Sequence, residues 1–367
     1  MAARDNVHVL VTGGSGFLGR AIVAALLDQH PKWQISVLDR TTPDGKTLPR
    51  LAHFCEVDII SPGSVNRAFE QCTPDVVVHT AGMVPSRHSR YSKREEDWEL
   101  VKSINCDGTR NVLDATLTSG CMNFVYTSSC TVATDDLDHD YYYMDETMPI
   151  GFASLHYGKS KGLAEQYVLD PQHAEKGLNA CALRPCTILG PGDTAVISVI
   201  HELIAKGETT FIVGDGDNVY DFMYLSNAVD AHLLAVENLL TTKTAAGQAF
   251  FISNQEPIYF WDLFAYIWAQ FGHVPTRRTR IPTGVAYFAA LVAEAYTWLS
   301  GVTPTLHTGS VKDGVRTQFS NNDKARSILG YVPRVGLAEG VRLACEDYKT
   351  YLAAQADSLA VPDKAKG

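Results

Sequence analysis

Tyr157 and Lys161 stand four residues apart in the run His156-Tyr157-Gly158-Lys159-Ser160-Lys161, and Leu163, Ala164, Tyr167 and Val168 continue it with helical spacing. Positions i and i+4 share one helix face, so a phenol and an ammonium can sit side by side. A free phenol titrates near ~10 and exchanges protons poorly at neutral pH. A neighbouring cation favours the phenolate and lowers that value. Such a tyrosine can exchange a proton with an alcohol or ketone, which is general acid–base chemistry. The same pattern also describes a surface pair on an amphipathic helix. A cofactor site upstream would separate the two readings.

That site is written near the amino terminus. Val7-His8-Val9-Leu10-Val11 is a short apolar run that predicts a buried parallel strand. It leads into Thr12-Gly13-Gly14-Ser15-Gly16-Phe17-Leu18-Gly19 and then a helical stretch from Arg20 to Leu27. Strand, Gly13-x-x-Gly16-x-x-Gly19, helix is the arrangement that binds a dinucleotide. Gly13 permits the tight turn, Gly16 lets backbone approach a pyrophosphate, and Gly19 lets helix pack on strand. Ser15, Phe17 and Leu18 complete the turn, and the helix amino terminus faces the phosphates.

A second predicted strand, from Gln34 to Leu38, ends at Asp39, twenty residues after Gly19. A carboxylate there accepts hydrogen bonds from the adenosine ribose and repels a 2′-phosphate, which favours NAD over NADP. Arg40 beside it could hold that phosphate or be a solvated surface charge. The strand from Leu51 to Val57 ends in Asp58 and Ile59, facing the adenine pocket or serving as a turn. Pro62 to Phe69 reads as a helix capped by Ser61. The run from Asp75 to His79 breaks into Thr80, Ala81 and Gly82, small residues against which a cofactor can lie. His79 reads as a packed strand-end histidine. A long helical segment from Glu95 to Leu117 carries Asn105, and the strand from Asn123 to Tyr126 ends in Thr127-Ser128-Ser129. Ligands bind beyond the carboxyl ends of parallel strands, so a hydroxyl there can meet a substrate oxygen. Repeated βα units predict an α/β fold, a Rossmann-type doubly wound parallel sheet.

The 367 residues exceed one comfortable core and suggest two lobes. Residues 1–190 would be the NAD-binding domain with Ser129, Tyr157 and Lys161, and 191–367 a smaller α/β substrate lobe. Part of 221–255 would return to the first domain. A net charge of -10 argues against a nucleic-acid surface and against a polybasic membrane anchor. The eight cysteines contain no Cys-x-x-Cys pair and do not cluster with histidines. They predict buried free thiols and no metal site. Met1 leads almost directly into a strand, with no room for a signal peptide, and the expectation is a cytoplasmic protein.

Taken in order, the Thr12–Gly19 motif, Asp39, Asp58, the small residues at 79–82, Asn105, Ser129 and Tyr157-x-x-x-Lys161 resemble the extended short-chain dehydrogenase/reductase superfamily. Leu183-Arg184-Pro185 and Gly190-Pro191-Gly192-Asp193 match its crossing into the substrate lobe. Gly214 to Asn218, Asp221-Phe222-Met223-Tyr224, Asn227 to His232, Ala249 to Ile258 and Lys324 to Pro333 resemble the 3β-hydroxysteroid dehydrogenase/isomerase branch. Within that branch the chain is most similar to the fungal-type sterol-4α-carboxylate 3-dehydrogenases (decarboxylating). The resemblance implies Tyr157 as acid/base, and Lys161 as the cation that lowers its pKa and holds the nicotinamide ribose. Ser129, ahead of Ser128, would orient the substrate oxygen. Asn105 would brace the active-site helix through water, and Pro185 would lie near the nicotinamide amide. Ala81-Gly82 departs from the Ala-Ser frequent in this branch and bears on pocket shape.

The function so implied is NAD-dependent oxidation of a ring secondary alcohol on a sterol, triterpenoid or related terpenoid. A carboxylate beta to the reacting carbon would then leave as carbon dioxide. Keto-reduction of a terpenoid or polyketide-type metabolite fits the same residues. A nucleotide-sugar epimerase or dehydratase is a second class, but those relatives carry a diphosphate-gripping arginine where this chain has Tyr220. A non-catalytic dinucleotide sensor could dispense with the Tyr157–Lys161 pair. The segment from Val285 to Trp298 is apolar and aromatic, and its uninterrupted run is too short to span a bilayer. It reads as a packed helix or as a lid in peripheral contact with the endoplasmic reticulum membrane. The resemblance also implies a homodimer through the helices near 91–118 and 156–173.

Overall fold

Seven apolar runs assemble into one parallel sheet in a computed structural model that describes residues 6–86, 89–300 and 306–360. The first half contributes β1 (His8–Thr12), α1 (Phe17–Gln29), β2 (Gln34–Asp39), β3 (His53–Glu56), α2 (Pro62–Gln71) and β4 (Val76–His79). It continues with α3 (Glu95–Lys102), α4 (Gly108–Thr118) and β5 (Asn123–Thr127). In space the strands run Gln248–Ile252, Asn179–Pro185, β5, β4, β1, β2, β3. The chain steps outward from β1 through β2 to β3, then returns to lay β4 on the other side of β1. The order therefore reverses between β1 and β4, and at such a reversal the following loops part and leave a crevice.

Both faces of the sheet are covered, which is why its inner strands are largely apolar instead of alternating, whereas the edge strand β3 exposes His53 and Glu56. Val9 and Val11 face Ile22, Val23 and Leu26 of α1 and Val236 and Leu239 of the helix Leu225–Leu240. Leu10, on the opposite face, meets Val65 and Phe69 of α2, Leu113 of α4 and Val168 of the helix His156–Val168. Each such side chain, fully buried, contributes roughly 1.5–3 kcal/mol.

The expected return of the chain to the first sheet is present: Gln248–Ile252 pairs in parallel with Asn179–Pro185, from Gln248 opposite Cys181 to Ile252 opposite Pro185. There is also an earlier crossing. Tyr141–Met144, ahead of Tyr157 in the chain, pairs with Gln318–Ser320 in a four-stranded sheet completed by Val219–Tyr220 and Ile258–Tyr259. This second lobe closes over its own cluster of Leu263, Ile267, Trp268, Leu337 and Val341.

Two details differ from expectation. The helical segment after residue 95 runs unbroken to Thr118 as expected but is not α-helical throughout, because a π-helical turn over Ser103–Asp107 lies between α3 and α4 and carries Asn105. Ser61 does precede α2 with Pro62 at its first position, but its hydroxyl donates to Ser64 Oγ at 3.0 Å and caps no backbone amide. The apolar helix Thr283–Ser300 seats Ala286 and Ala290 against Val311 and turns Val285, Phe288, Leu291, Val292 and Tyr296 outward. The side chain of Trp298 lies outside the described residues. Among the described residues no helix is long and apolar enough to cross a membrane.

Candidate active site

The glycine turn is built by steric exclusion. Gly13 has a φ of +70°, and a methyl on it would stand 2.7 Å from the Ala81 backbone. A methyl on Gly19 would lie 2.1 Å from the Gly13 carbonyl oxygen, so α1 reaches the strand end only without a side chain there. Gly16 is different: its nearest neighbour would be the Gly13 oxygen at 3.2 Å, with open space beyond. At the mouth of the turn the Asp39 carboxylate accepts the amides of Ser15 and Thr41, each at 2.9 Å. Phe17 and Leu18 open α1, with Leu18 against the core.

Next to Asp39, at the ends of the neighbouring strands β2 and β3, Arg40 pairs with Asp58 at 3.5 Å, Arg40 exposed and Asp58 partly so. Ile59 is buried beneath Gly108, and its carbonyl accepts from Asn111 at 2.9 Å. The Thr80 hydroxyl donates to the Thr12 carbonyl at 2.7 Å, holding the Thr80–Gly82 stretch against the turn. His79 bridges Thr12 Oγ1 at 2.6 Å and Thr109 Oγ1 at 2.9 Å, and burial pushes its pKa down to about 3. It is a packed histidine, as expected. An open helix amino terminus, a bare Gly16 and a carboxylate closing the second strand fit a dinucleotide.

The helix His156–Val168 brings Tyr157 to the same crevice. Lys161 on its buried face donates from Nζ to the Thr127 carbonyl at 2.9 Å, and burial lowers its pKa to about 8. A methyl on Gly82 would stand 3.1 Å from that ammonium and 3.2 Å from Asn105 Oδ1. The Ala81-Gly82 departure thus keeps space open beside Lys161. Asn105 accepts the Met83 amide at 2.7 Å and donates to the Met83 carbonyl and to Ser160 Oγ, each at 3.0 Å. It reaches the helix directly through Ser160, whose hydroxyl donates to the Tyr157 carbonyl at 2.8 Å. π-turns recur where a side chain must be re-aimed at a site, as here.

The phenol itself departs from expectation. Burial pushes Tyr157 up to about 12, opposed by a hydrogen bond with Ser129 and by the positive charge of Arg90, while Cys130 and Asp135 raise it further. The cation that opposes burial most is Arg90, not Lys161 at the expected spacing. Ser129 and Ser128 also separate. Ser129 Oγ lies toward the phenol and accepts the Thr131 amide at 3.3 Å, whereas Ser128 donates to Glu165 at 2.6 Å. Pro185 closes the neighbouring strand, its carbonyl accepting the Cys130 amide at 3.0 Å.

Two charged groups around the site escaped the sequence reading. Glu165 and Arg184 form a buried pair, Nη2 to Oε1 at 2.5 Å, beneath Ser128. Its signal was present: 157, 161 and 165 form one i, i+4 row, and Arg184 lies in the Leu183-Arg184-Pro185 match. The other joins the lobes. Asp313 accepts Tyr91 at 2.9 Å, Tyr220 at 2.8 Å and Arg316 at 2.8 Å, and Arg90 clamps Asp135 through both oxygens. No local spacing announces residues so distant in the chain.

Residues 10–283 match the family model of the 3-beta hydroxysteroid dehydrogenase/isomerase family. The chain belongs to that family, and it is an oxidoreductase. The sterol-4-alpha-carboxylate 3-dehydrogenase (decarboxylating) of Schizosaccharomyces pombe is 35% identical over 334 residues, covering 90% of this chain and 94% of that protein. The Saccharomyces cerevisiae protein of the same name is 32% identical over 343 residues, covering 91% of this chain and 95% of that protein. Among solved structures, the UDP-glucose 4-epimerase of Thermotoga maritima superposes with a TM-score of 0.73 at 24% identity, over 94% of this chain and 99% of that one. That likeness shows the doubly wound fold.

Proposed function

We propose that this chain oxidises a ring secondary alcohol of the 3β-hydroxyl type on a sterol, triterpenoid or related terpenoid, with NAD as acceptor. The observation that carries the reading is the convergence of Tyr157, Ser129, Lys161 and Asn105 beside a glycine turn closed by Asp39, in a chain 35% identical to a sterol-4-alpha-carboxylate 3-dehydrogenase. NAD, bound along the turn, supplies the hydride acceptor. Gly13, Ser15, Gly16 and the α1 amino terminus hold the pyrophosphate, Asp39 the adenosine ribose, and Asp58 and Ile59 the adenine side. Thr80, Ala81, Gly82 and Pro185 line the remainder.

Ser129 donates to the substrate oxygen and Tyr157 removes its proton. Lys161 holds the nicotinamide ribose, and Asn105 keeps the first turns of the Tyr157 helix in place through Ser160. When the substrate carries a carboxylate beta to the new ketone, carbon dioxide leaves without a further catalytic group. The same residues run keto-reduction in the opposite direction. Against a nucleotide-sugar substrate stands Tyr220, buried with its hydroxyl committed to Asp313. The nearby Arg316 is paired with the same carboxylate, and a diphosphate needs uncommitted cations.

A lipophilic substrate also suggests where the protein works. We place it on the cytoplasmic side, in peripheral contact with the endoplasmic reticulum membrane. The outward apolar row of Thr283–Ser300 and the exposed Arg277, Arg278 and Arg280 just before it would meet the lipid. A homodimer would form through α3, α4 and His156–Val168, where Leu100 and Leu163 are exposed. Co-sedimentation with anionic vesicles and light scattering on the purified chain test these two points.

The test of the reaction is NADH formation by purified protein with NAD and a panel of hydroxysterols and terpenoids, 4-carboxylated members included, with UDP-sugars alongside. Turnover of a sterol, lowered about 10²–10⁴-fold in Tyr157→Phe, is the expected result. Carbon dioxide release then decides decarboxylation. Turnover of a UDP-sugar with silence on every sterol would overturn the reading.

A further inference from the structure

Lys161 and Asn105 account for one flank of Tyr157, and another is faced by a charge that no motif announces. Arg90, between β4 and α3, places its guanidinium carbon 6.0 Å from the centroid of the Tyr157 ring. It is pinned there by Asp135, with Nη1 donating to Oδ2 at 2.9 Å and Nη2 to Oδ1 at 2.6 Å. Asp135 is fully buried, and the same Oδ2 accepts the Gly158 amide at 2.9 Å. A methyl on Gly158 would stand 2.5 Å from that oxygen and from the Thr131 carbonyl, so the first helical turn rests directly on the carboxylate. The Asp135 carbonyl also accepts the amide and the hydroxyl of Ser154, at 2.9 and 2.8 Å. Backbone on both sides of Tyr157 is thus tied to the residue that holds Arg90.

We propose that Arg90 is a positioning residue for the proton step at Tyr157: clamped by Asp135, it presents a permanent positive charge to the phenol, while the shared carboxylate fixes the helical turn that carries the tyrosine. The proposal rests on the reading of Tyr157 as the acid/base group. Several groups face the phenol. Arg90 and the Ser129 hydroxyl favour its ionised form, and Cys130 and Asp135 disfavour it. Tyr91 and Asp313 neighbour Arg90, and Lys161 shares the phenol's own helix. Lys161 is a poor source of constant charge, because burial brings its own titration down to about 8 and its Nζ is bonded to Thr127. A guanidinium keeps its charge across that range, and a two-pronged carboxylate clamp fixes its plane.

The test uses full-length protein labelled with difluorotyrosine, whose phenols titrate low enough to be followed by fluorine NMR, with the Tyr157 signal assigned through Tyr157→Phe. Arg90→Gln is expected to raise the Tyr157 midpoint by about one pH unit. Arg90→Lys, which keeps the charge, should leave it within a few tenths of a unit, and Asp135→Asn should move it down. Opposite signs from the two halves of one ion pair are not what a purely structural role produces. A Tyr157 midpoint unmoved in Arg90→Gln overturns the proposal. If that variant does not fold, Asp135→Asn and Arg90→Lys decide: a midpoint unmoved or raised in the first, or raised by a full unit in the second, overturns it equally. The acid limb of the kcat/KM profile should follow the NMR midpoint. Shifted midpoints together with full turnover in Tyr157→Phe would leave the Arg90 assignment standing and remove the reading of Tyr157 instead.

Discussion

The cofactor turn and the charged clusters behind Tyr157 solve the same problem, holding a reactive centre in place, by opposite means. The turn holds by leaving atoms out. Gly13, Gly16 and Gly19 lie within seven consecutive residues, and two of them have no space for even a methyl group. The clusters hold by pairing charges: Arg90 with Asp135 and Arg184 with Glu165 meet from separate elements, while Arg316 and Asp313, near neighbours in the chain, form a pair that Tyr91 and Tyr220 complete from remote positions. A steric device needs only the right residue at the right place. A charge device needs both partners, and removing one leaves the other unsatisfied in a low-dielectric interior. The first is therefore local and robust to its surroundings, whereas the second is non-local and fails when either half is lost.

The largest break should come from a charge. Glu165→Ala leaves Arg184 buried without its carboxylate and should cost about 3–5 kcal/mol in denaturant unfolding. A variant as stable as the parent would show that water, not Glu165, satisfies the guanidinium. Next is Gly19→Ala, where the new methyl meets the Gly13 carbonyl. A loss of up to about 3 kcal/mol is expected, with NAD affinity falling alongside it. Gly16→Ala sharpens the contrast, since the same substitution three residues earlier should keep the melting temperature and lower only NAD affinity, measured by calorimetric titration. Equal thermal losses in the two variants would contradict the division between a packing glycine and a ligand-facing one.

A smaller effect tests the buried titratable groups on pH. His79 and His232 are held neutral, with pKa values lowered by burial to about 3 and about 4. Below about 6.5 the unfolded chain binds those protons first, so stability is present above that pH and falls as pH drops toward the folded values. Asp221 works the other way, because burial raises it to about 6 and the native state takes up its proton in the same window. The net expectation is a loss of about 1.4 kcal/mol per pH unit between 6 and 5. Urea unfolding across that interval reads it directly, and a flat profile would mean that the histidines gain protons without unfolding. The smallest change is cofactor choice: Asp39→Ser should shift the NAD to NADP preference by about tenfold, roughly 1.4 kcal/mol, while leaving the fold intact.

Local chemistry made the doubly wound sheet, the glycine turn and Asp39 legible in the amino-acid sequence. A glycine at a turn, a carboxylate at a strand end and a phenol four residues from a lysine each state their requirement within one or two elements. His79 was legible too, since a histidine inside an apolar strand has few uses except packing. Packing against distant segments decided what the sequence left open. It separated Ser129 from Ser128, because the Glu165–Arg184 pair claims Ser128. It gave the long helical segment a π-turn at Asn105, and it brought Arg90, which no spacing announces, to 6.0 Å from the centroid of the Tyr157 ring. The physical reason is range. Backbone geometry and steric exclusion act over a few bonds and leave their mark in consecutive residues, whereas charge and burial act through space. Which residues share that space is known only once the chain has folded.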